Sequence, residues 1–566
     1  MYIKITKSGP RQYVQLVESF RDEKGRPRQR TIATLGRLEQ PESLKSVHAG
    51  LSRILGMEKH ESDVSDAPVS FDSSRAFGDV WALSMIWKQL GLDRLRKVLR
   101  LRTRHKMNLE ALLRIMVLNR LCDADSKLGV LRWLKTVSLP DMPVSSVNHQ
   151  QLLRTMDALV EHQEVIEQVL ADAVYPLINE NLSVVFYDMT TIRVEGQAEL
   201  DEDIRRFGLS KEGGLSRQFM LGLVQTADGI PLYHEVFEGN TAEVRTLKAS
   251  LEKVMSRYPV KRVIAVADRG LLSIDNLEEL KSMVLPNGQP LEFILAVPGR
   301  RYKEFAELLE PVNHAASQSD EAEYIQECRW QDLRLVVAHD AFRAKEQGRL
   351  RDEKIAELEK QAMLWVGKLD AQDSGRKVRG RKLSDGGARA RFYHAVSEAR
   401  LGRIIRVDLK SELFAYDIDK KALELARAMD GKLLLVSNTP DMSAGEIISC
   451  YKALADIERG FKVLKSEIEI GPVYHRLPER IRAHAMICFI ALILHRVMRA
   501  RLKKTPVPEV VSPERALMSL RRIQTHRVIL QGKPRTGISV FGNEQSAIMH
   551  SLGVKKPTEN DSYANL

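Results

Sequence analysis

The sequence predicts a multidomain α/β protein in which a mixed sheet, split by an insertion, follows a small antiparallel β domain and a helical domain. Three observations support that fold class. At 566 residues the chain is too long for one hydrophobic core. From Leu182 onward the apolar period changes from that of a helix to that of a strand, and strands then alternate with helices. That alternation breaks off after Val297 and resumes at Lys432.

Charge and cysteine content narrow the function. Lysine and arginine number 87 against 75 acidic residues, a net charge of +12, which suits a polyanionic partner, nucleic acid first. Cys122, Cys328, Cys450 and Cys488 lie far apart with no CxxC pair, so neither a disulfide framework nor a zinc knuckle is indicated, and a reducing cytoplasm fits. The N-terminus has no apolar signal core. The nearest approach to a membrane span, Ala485 to Leu494, is too short and reads as a buried helix, so no membrane is expected.

Residues 1–56 are expected to form the small basic β domain with one helix. Tyr2 to Thr6, Gln12 to Phe20 and Gln29 to Leu35 alternate polar and apolar, separated by turns at Ser8-Gly9-Pro10 and Lys24-Gly25-Arg26-Pro27. A helix follows from about Glu42. The basic residues Lys4, Lys7, Arg11, Lys24, Arg26, Arg28, Arg30 and Arg37 favour contact with DNA phosphates over a merely solvated face. Residues 57–73 read as a linker. Residues 74–180 read as a helical domain, with Trp81, Leu83, Ile86, Trp87 and Leu90 as one stripe and Leu109, Leu112, Leu113, Met116 and Val117 as another. Its basic clusters allow DNA binding, and a structural bundle serves equally well.

Residues 181–297 hold the first part of the mixed sheet. LSVVFYD is a strand ending in Asp188; Arg217 to Thr226 and Pro231 to Phe237 are joined by a hairpin turn at Asp228-Gly229. A helix from Glu243 to Arg257 leads to the strand Arg262 to Ala267, closed by Asp268, then a helix near Ile274 to Lys281 and a strand from Glu292 to Val297. Residues 298–430 read as an insertion domain, with strand-like pieces around Ala322 to His339, a charged helix from Glu346 to Leu369 and a flexible basic stretch at 374–391. Residues 431–503 resume the sheet with Lys432 to Ser437. Residues 504–566 form a C-terminal extension: a helix from Ser512, a hairpin, and a disordered tail from about Lys555.

One helix organises the site. Ser443 and Glu446 form a capping box behind Pro440, so a helix starts near Ser443. Leu454, Ile457, Phe461, Leu464 and Ile468 share a face that must pack on a core, and Tyr451, Glu458, Lys462 and Lys465 fall on an adjoining strip. On this helix alone, Glu458 is as readily an i,i+4 partner of Lys462 as a ligand. Asp188 and Asp268 close two strands that can converge with it at one sheet end. Three carboxylates without His or Cys partners offer hard oxygens suited to Mg²⁺ or Mn²⁺, and paired ions of that kind serve displacement at phosphorus.

The order YDMTT at 187–191, ADRG at 267–270 and YKALADIERGFKVLK at 451–465 resembles the DDE transposases of bacterial insertion sequences, with their ribonuclease-H-like catalytic core. Tyr451, Glu458 and Lys465 fit their Y-(2)-R-(3)-E-(6)-K signature, Leu454 stands where the signature has Arg, and GPVYHRLPERIRAH is familiar from one subgroup. The resemblance implies that Asp188, Asp268 and Glu458 are catalytic and bind two Mg²⁺ or Mn²⁺ ions. It implies that Tyr451 and Lys465 position the DNA backbone, with Arg459 or Lys462 gripping the phosphate that Leu454, an uncharged side chain, has no means to hold. It further implies terminal inverted repeats and target DNA as double-stranded partners, a homodimer in a synaptic complex, and cut-and-paste chemistry in a bacterial cytoplasm. Trp330 and Trp365 read first as core residues and second as platforms for a displaced base. Two rival readings stand beside this one: a non-catalytic DNA-binding descendant, and a ribonuclease-H-like nuclease with another nucleic-acid substrate. Divalent-ion-dependent strand transfer separates all three.

Overall fold

The computed structural model describes residues 1–22, 26–38, 69–102, 107–141, 147–178, 184–196, 203–209, 214–241, 243–258, 262–267, 274–318, 323–376, 382–530 and 533–558. The chain forms two compact units, residues 1–70 with 529–534, and residues 71–528 with 535–566.

In the first unit β1 (Tyr2–Ser8), β2 (Arg11–Arg21) and β3 (Pro27–Arg37) form an antiparallel sheet in that order. Gly9 makes the first turn at φ +61°, a conformation that costs glycine little. Val14 and Val17 are buried, Arg28 and Arg30 are exposed, and Arg37 is half-buried over the ring of Tyr13. The helix expected from Glu42 lies outside the described residues, as does the linker up to residue 68. Residues 69–73, the rest of that linker, are not a linker but belong with 74–76 to strand β4 (Val69–Ala76), which joins β16 (Gln524–Leu530) and β17 (Lys533–Ile538) in a three-stranded sheet of order β17-β16-β4.

The second unit opens with helices that start where local chemistry says they should. Asn108 accepts from Ala111 N at 3.2 Å, Ser126 from Gly129 N at 3.0 Å, and Asn148 with Gln151 closes a capping box. Trp81, Leu83, Ile86 and Trp87 are buried. They share their core with Pro478–Lys504, a 27-residue helix longer than the sequence suggested and apolar on all sides only over its central turns, residues 485–494. It is long and apolar enough to cross a membrane, yet 94% of its apolar window is buried in the protein. The helical segment and the sheet are therefore built around one shared core.

Among the described residues the sheet has nine strands: β5 (Val184–Arg193), β6 (Arg206–Leu209), β7 (Leu215–Thr226), β8 (Pro231–Glu238), β9 (Ile264–Ala267), β10 (Glu292–Ala296), β11 (Glu323–Trp330), β12 (Leu333–Asp340) and β15 (Lys432–Ser437), the last after the small hairpin β13 (Ile405–Val407) and β14 (Tyr416–Ile418). Its order is β11-β12-β15-β10-β9-β5-β7-β6, with β8 also on β7. β5, β7 and β8 pair antiparallel, and β9 and β10 run parallel to β5. Gly229 makes the β7–β8 turn at φ +74°.

β11 and β12, placed in the insertion from sequence, extend this sheet because β12 pairs with β15 from Arg334↔Ser437 to His339↔Lys432. A separate small core forms beyond them, from Ile355, Leu358, Phe392, Val396 and Phe414 with Trp365 packed against it. The stretch expected to be flexible is helical from Asp385, capped by Ser384. Trp365 stands edge-on to Phe392 at 6.2 Å and Trp330 packs on Phe305 at 5.0 Å, so both rings serve cores.

Candidate active site

Asp188 does not end its strand. β5 continues to Arg193, because Thr190, Thr191 and Ile192 are β-branched and pair with β7 down to Arg193↔Gln218. Asp188 thus lies inside the strand, opposite Leu223 and half-buried, with Oδ1 accepting from Met189 N at 2.7 Å. The period of two puts it on the same sheet face as Phe186. β9, parallel and adjacent, ends at Ala267, one residue before Asp268, which lies outside the described residues.

The helix Ala444–Ser466 covers that face. Ser443 caps it, its Oγ accepting from Glu446 N at 3.3 Å while Glu446 accepts from Ser443 N at 2.8 Å. Ile447, Ile448 and Leu454 pack on Phe186, Ile264, Val266, Ile294 and Leu435, so Leu454 is a core residue. Phe461, Leu464 and Ile468 join the core shared with the helical segment. Asp188 and the backbone of position 458 therefore belong to a strand and a helix packed face to face; the Glu458 side chain lies outside the description. Tyr451 and Lys465 are half-buried, and Arg459 and Lys462 are exposed. Lys452 pairs with Glu323 at 2.8 Å, fixing the middle of the helix to β11.

Sequence reasoning missed the basic wall beside this helix. A cavity of about 670 Å³ is lined by Arg459 together with Arg496, Arg499, Lys503 and Lys504. The signal was present as basic residues recurring at 496, 499 and 503, one face of a helix. Gly460 brings the two helices together: a Cβ there would sit 2.9 Å from Arg496 Nη2 and 3.0 Å from Gln225 Oε1. Gly460→Val is expected to displace the buried Arg496 guanidinium and to lower DNA cleavage at least about tenfold, with a loss of stability on the order of 1–3 kcal/mol. Cleavage rates and denaturation midpoints of the variant check both.

A second cluster secures the end of the same helix. His495 Nε2 lies 3.0 Å from Glu467 and 2.7 Å from Glu514, and the three side chains offer ligand-type atoms within 4.8 Å of one another. Burial alone would lower the His495 pKa, but the two carboxylates outweigh it and hold the ring above its ordinary value. The geometry is that of an imidazolium between two acids, a clamp joining three helices.

A central strand with antiparallel neighbours on one side and parallel strands on the other, covered on one face by a helix, has the architecture of a ribonuclease-H-like core. The chain belongs to the Transposase DDE domain family, which it matches over residues 180–494, and residues 3–62 match the IS1634 family transposase, N-terminal domain. It is a DNA-acting enzyme of the insertion-sequence transposases, and a DDE domain works with divalent metal ions. Among solved structures, the chain is similar to one described as "Cryo-EM structure of piggyBac transposase synaptic complex with hairpin DNA (SNHP)", at 10% identity, 86% coverage of both chains and a TM-score of 0.37. No curated protein matches the chain.

Proposed function

We propose that this transposase cuts at the terminal inverted repeats of its own element and joins the freed 3′ ends to target DNA, a cut-and-paste reaction carried by Asp188, Asp268 and Glu458. The observation behind this reading is that the half-buried Asp188 lies on the sheet face covered by the helix of Glu458, next to a strand whose following residue is Asp268. Three carboxylates fit hard cations, two Mg²⁺ or Mn²⁺ ions. Ions held there would activate the attacking oxygen and stabilise the leaving one.

The remaining groups orient DNA. Tyr451 and Lys465 hold backbone phosphates near the cut, and Arg459 and Lys462 supply the charge that Leu454, buried in the core, does not. The cavity of Arg459, Arg496, Arg499, Lys503 and Lys504 adds a basic wall for the strand leaving the site. Both steps are in-line displacements at phosphorus, first by water and then by the 3′ hydroxyl, with no covalent enzyme intermediate. Two copies of the chain hold the two element ends, in a bacterial cytoplasm and at the nucleoid when DNA is bound.

The test is incubation with linear DNA carrying the flanking repeats, with Mg²⁺, Mn²⁺ or EDTA. Metal-dependent nicking at the repeat boundary followed by joining to a second duplex is expected. Binding without cleavage would instead favour a non-catalytic descendant, and cleavage without joining a plain nuclease. Lys465→Ala should weaken duplex binding and reduce the slope of log K against log salt by about 0.9, the value for one phosphate contact, measured by titration at several salt concentrations.

A further inference from the structure

The loop that follows the signature helix, Gly471 to Leu477, belongs to the GPVYHRLPERIRAH stretch, and the catalytic reading leaves it without a task. It walls a cavity of about 750 Å³ whose other side is Arg120, Lys127 and His149, with His484 and Arg480 closing it. Lys127 is only 5% exposed and, among the described residues, makes no hydrogen bond or ion pair. Arg120 is equally buried, and its Nη1 donates to the carbonyls of Ile468 at 3.4 Å and Glu469 at 3.2 Å. Two acids border the cavity, and neither answers Lys127. Asp125 is held by Arg132 at 3.3 Å and by Ser126 N at 2.6 Å, and Glu469 is exposed.

Two buried cations facing one space, with no carboxylate between them, cost stability unless an anion joins them. We infer that this cavity binds a phosphate group, with Lys127 and Arg120 as its charged floor and the imidazoles of His475 and His484 at its side. His484 Nε2 donates to the Ile470 carbonyl at 3.0 Å and burial keeps the ring neutral, so its buried, unpartnered Nδ1 is an acceptor and His484 walls the cavity without donating to the anion. Burial, and Arg120 after it, draws the Lys127 ammonium down to about 7; burial and Lys127 draw His475 down to about 4. An anion in the cavity relieves the repulsive part of both shifts.

The cavity wall is continuous with the catalytic sheet. Glu195 N donates to Val473 O at 2.9 Å and Val473 N to Arg193 O at 3.0 Å, so the loop pairs in parallel alongside the chain where β5 ends, beyond Asp188. Arg193 lies roughly 17 Å along the strand from Asp188 at the usual rise per residue. Ile470 N also donates to Leu464 O at 2.9 Å, beside Lys465. On the proposed function, the phosphate is that of the DNA strand running past the cut; a free inorganic phosphate presents the same chemistry.

Lys127→Met tests this in the full chain, since methionine fills the buried volume without the charge. Duplex binding is titrated at several salt concentrations, and the thermal midpoint is compared in inorganic phosphate and in chloride at equal ionic strength. The variant is expected to bind DNA several-fold more weakly, to show a salt slope smaller by about 0.9, and to lack the extra stabilisation that phosphate gives the unsubstituted protein. A reduced slope without any phosphate stabilisation places the anion in the DNA chain. Abolished phosphate stabilisation with an unchanged slope assigns the site to free phosphate. An unchanged slope with no phosphate-specific stabilisation in either protein overturns the inference. Cleavage of repeat DNA by the unsubstituted protein is scored separately, so failure of the cavity and failure of the catalytic reading give different results.

Discussion

Asp188→Asn is expected to lower repeat-end cleavage on the order of 10³-fold or more, a loss of about 4 kcal/mol of transition-state stabilisation, while duplex binding stays within about twofold. Asparagine keeps the size of the side chain and an oxygen for the Met189 amide, which Asp188 now accepts at 2.7 Å. The pairing of β5 with β7 around Leu223 therefore has no reason to change. What disappears is a negative charge on the sheet face beneath the helix of Glu458. A hard divalent ion is held by charged oxygens, and one carboxylate fewer weakens it far more than one hydrogen bond would. Single-turnover cleavage with matched circular dichroism is the measurement. Cleavage within tenfold of the unsubstituted protein would remove Asp188 from the proposed site.

Much of this arrangement was legible because it is local. The capping box at Ser443 and Glu446, the burial of Leu454, Phe461, Leu464 and Ile468, and the Asp228-Gly229 turn are each decided within a few residues and stand as read, although Leu454 serves a different core from the other three and the Ile457 side chain lies outside the described residues. Features set by distant partners were not legible. Nothing around Asp188 announces that Thr190 to Ile192 will find β7, so the strand reads as ending early. β6, four residues at a sheet edge, has too short a pattern to register, and β12 becomes a core strand only because β15 lies beside it. Arg496 reads as a flank of an apolar run until Gly460 and Gln225 are seen closing around it.

The clamp of Glu467, His495 and Glu514 was invisible for the same reason: one residue closes the signature helix, one lies deep in the long core helix, and one opens the helix Pro513–Leu520. His495→Ala is expected to cost about 2–3 kcal/mol near pH 6, because it removes a buried cation and leaves two carboxylates facing each other. The dependence on pH has a definite sign. His495 has a folded pKa above its unfolded value near 6.5, so its contribution is fully present below that pH and is lost as pH rises through the raised value. Glu514 is partly buried, which works against ionisation, but hydrogen bonds from His495 lead the opposing effects and hold it well below the ordinary range. Its contribution is therefore present above pH 4.5 and lost as pH falls. Glu467 is raised by burial and by Glu514, and so opposes the other two when ionised. The clamp is strongest between about pH 4.5 and 6.5 by these directions, so the gap between the protein and His495→Ala should narrow from pH 6 to pH 8. Denaturation midpoints at the two pH values measure it, and an equal gap at both would show that His495 contributes packing alone. Because Glu467 ends the helix that carries Glu458 and Lys465, His495→Ala should also lower cleavage more at pH 6 than at pH 8, relative to the unsubstituted protein.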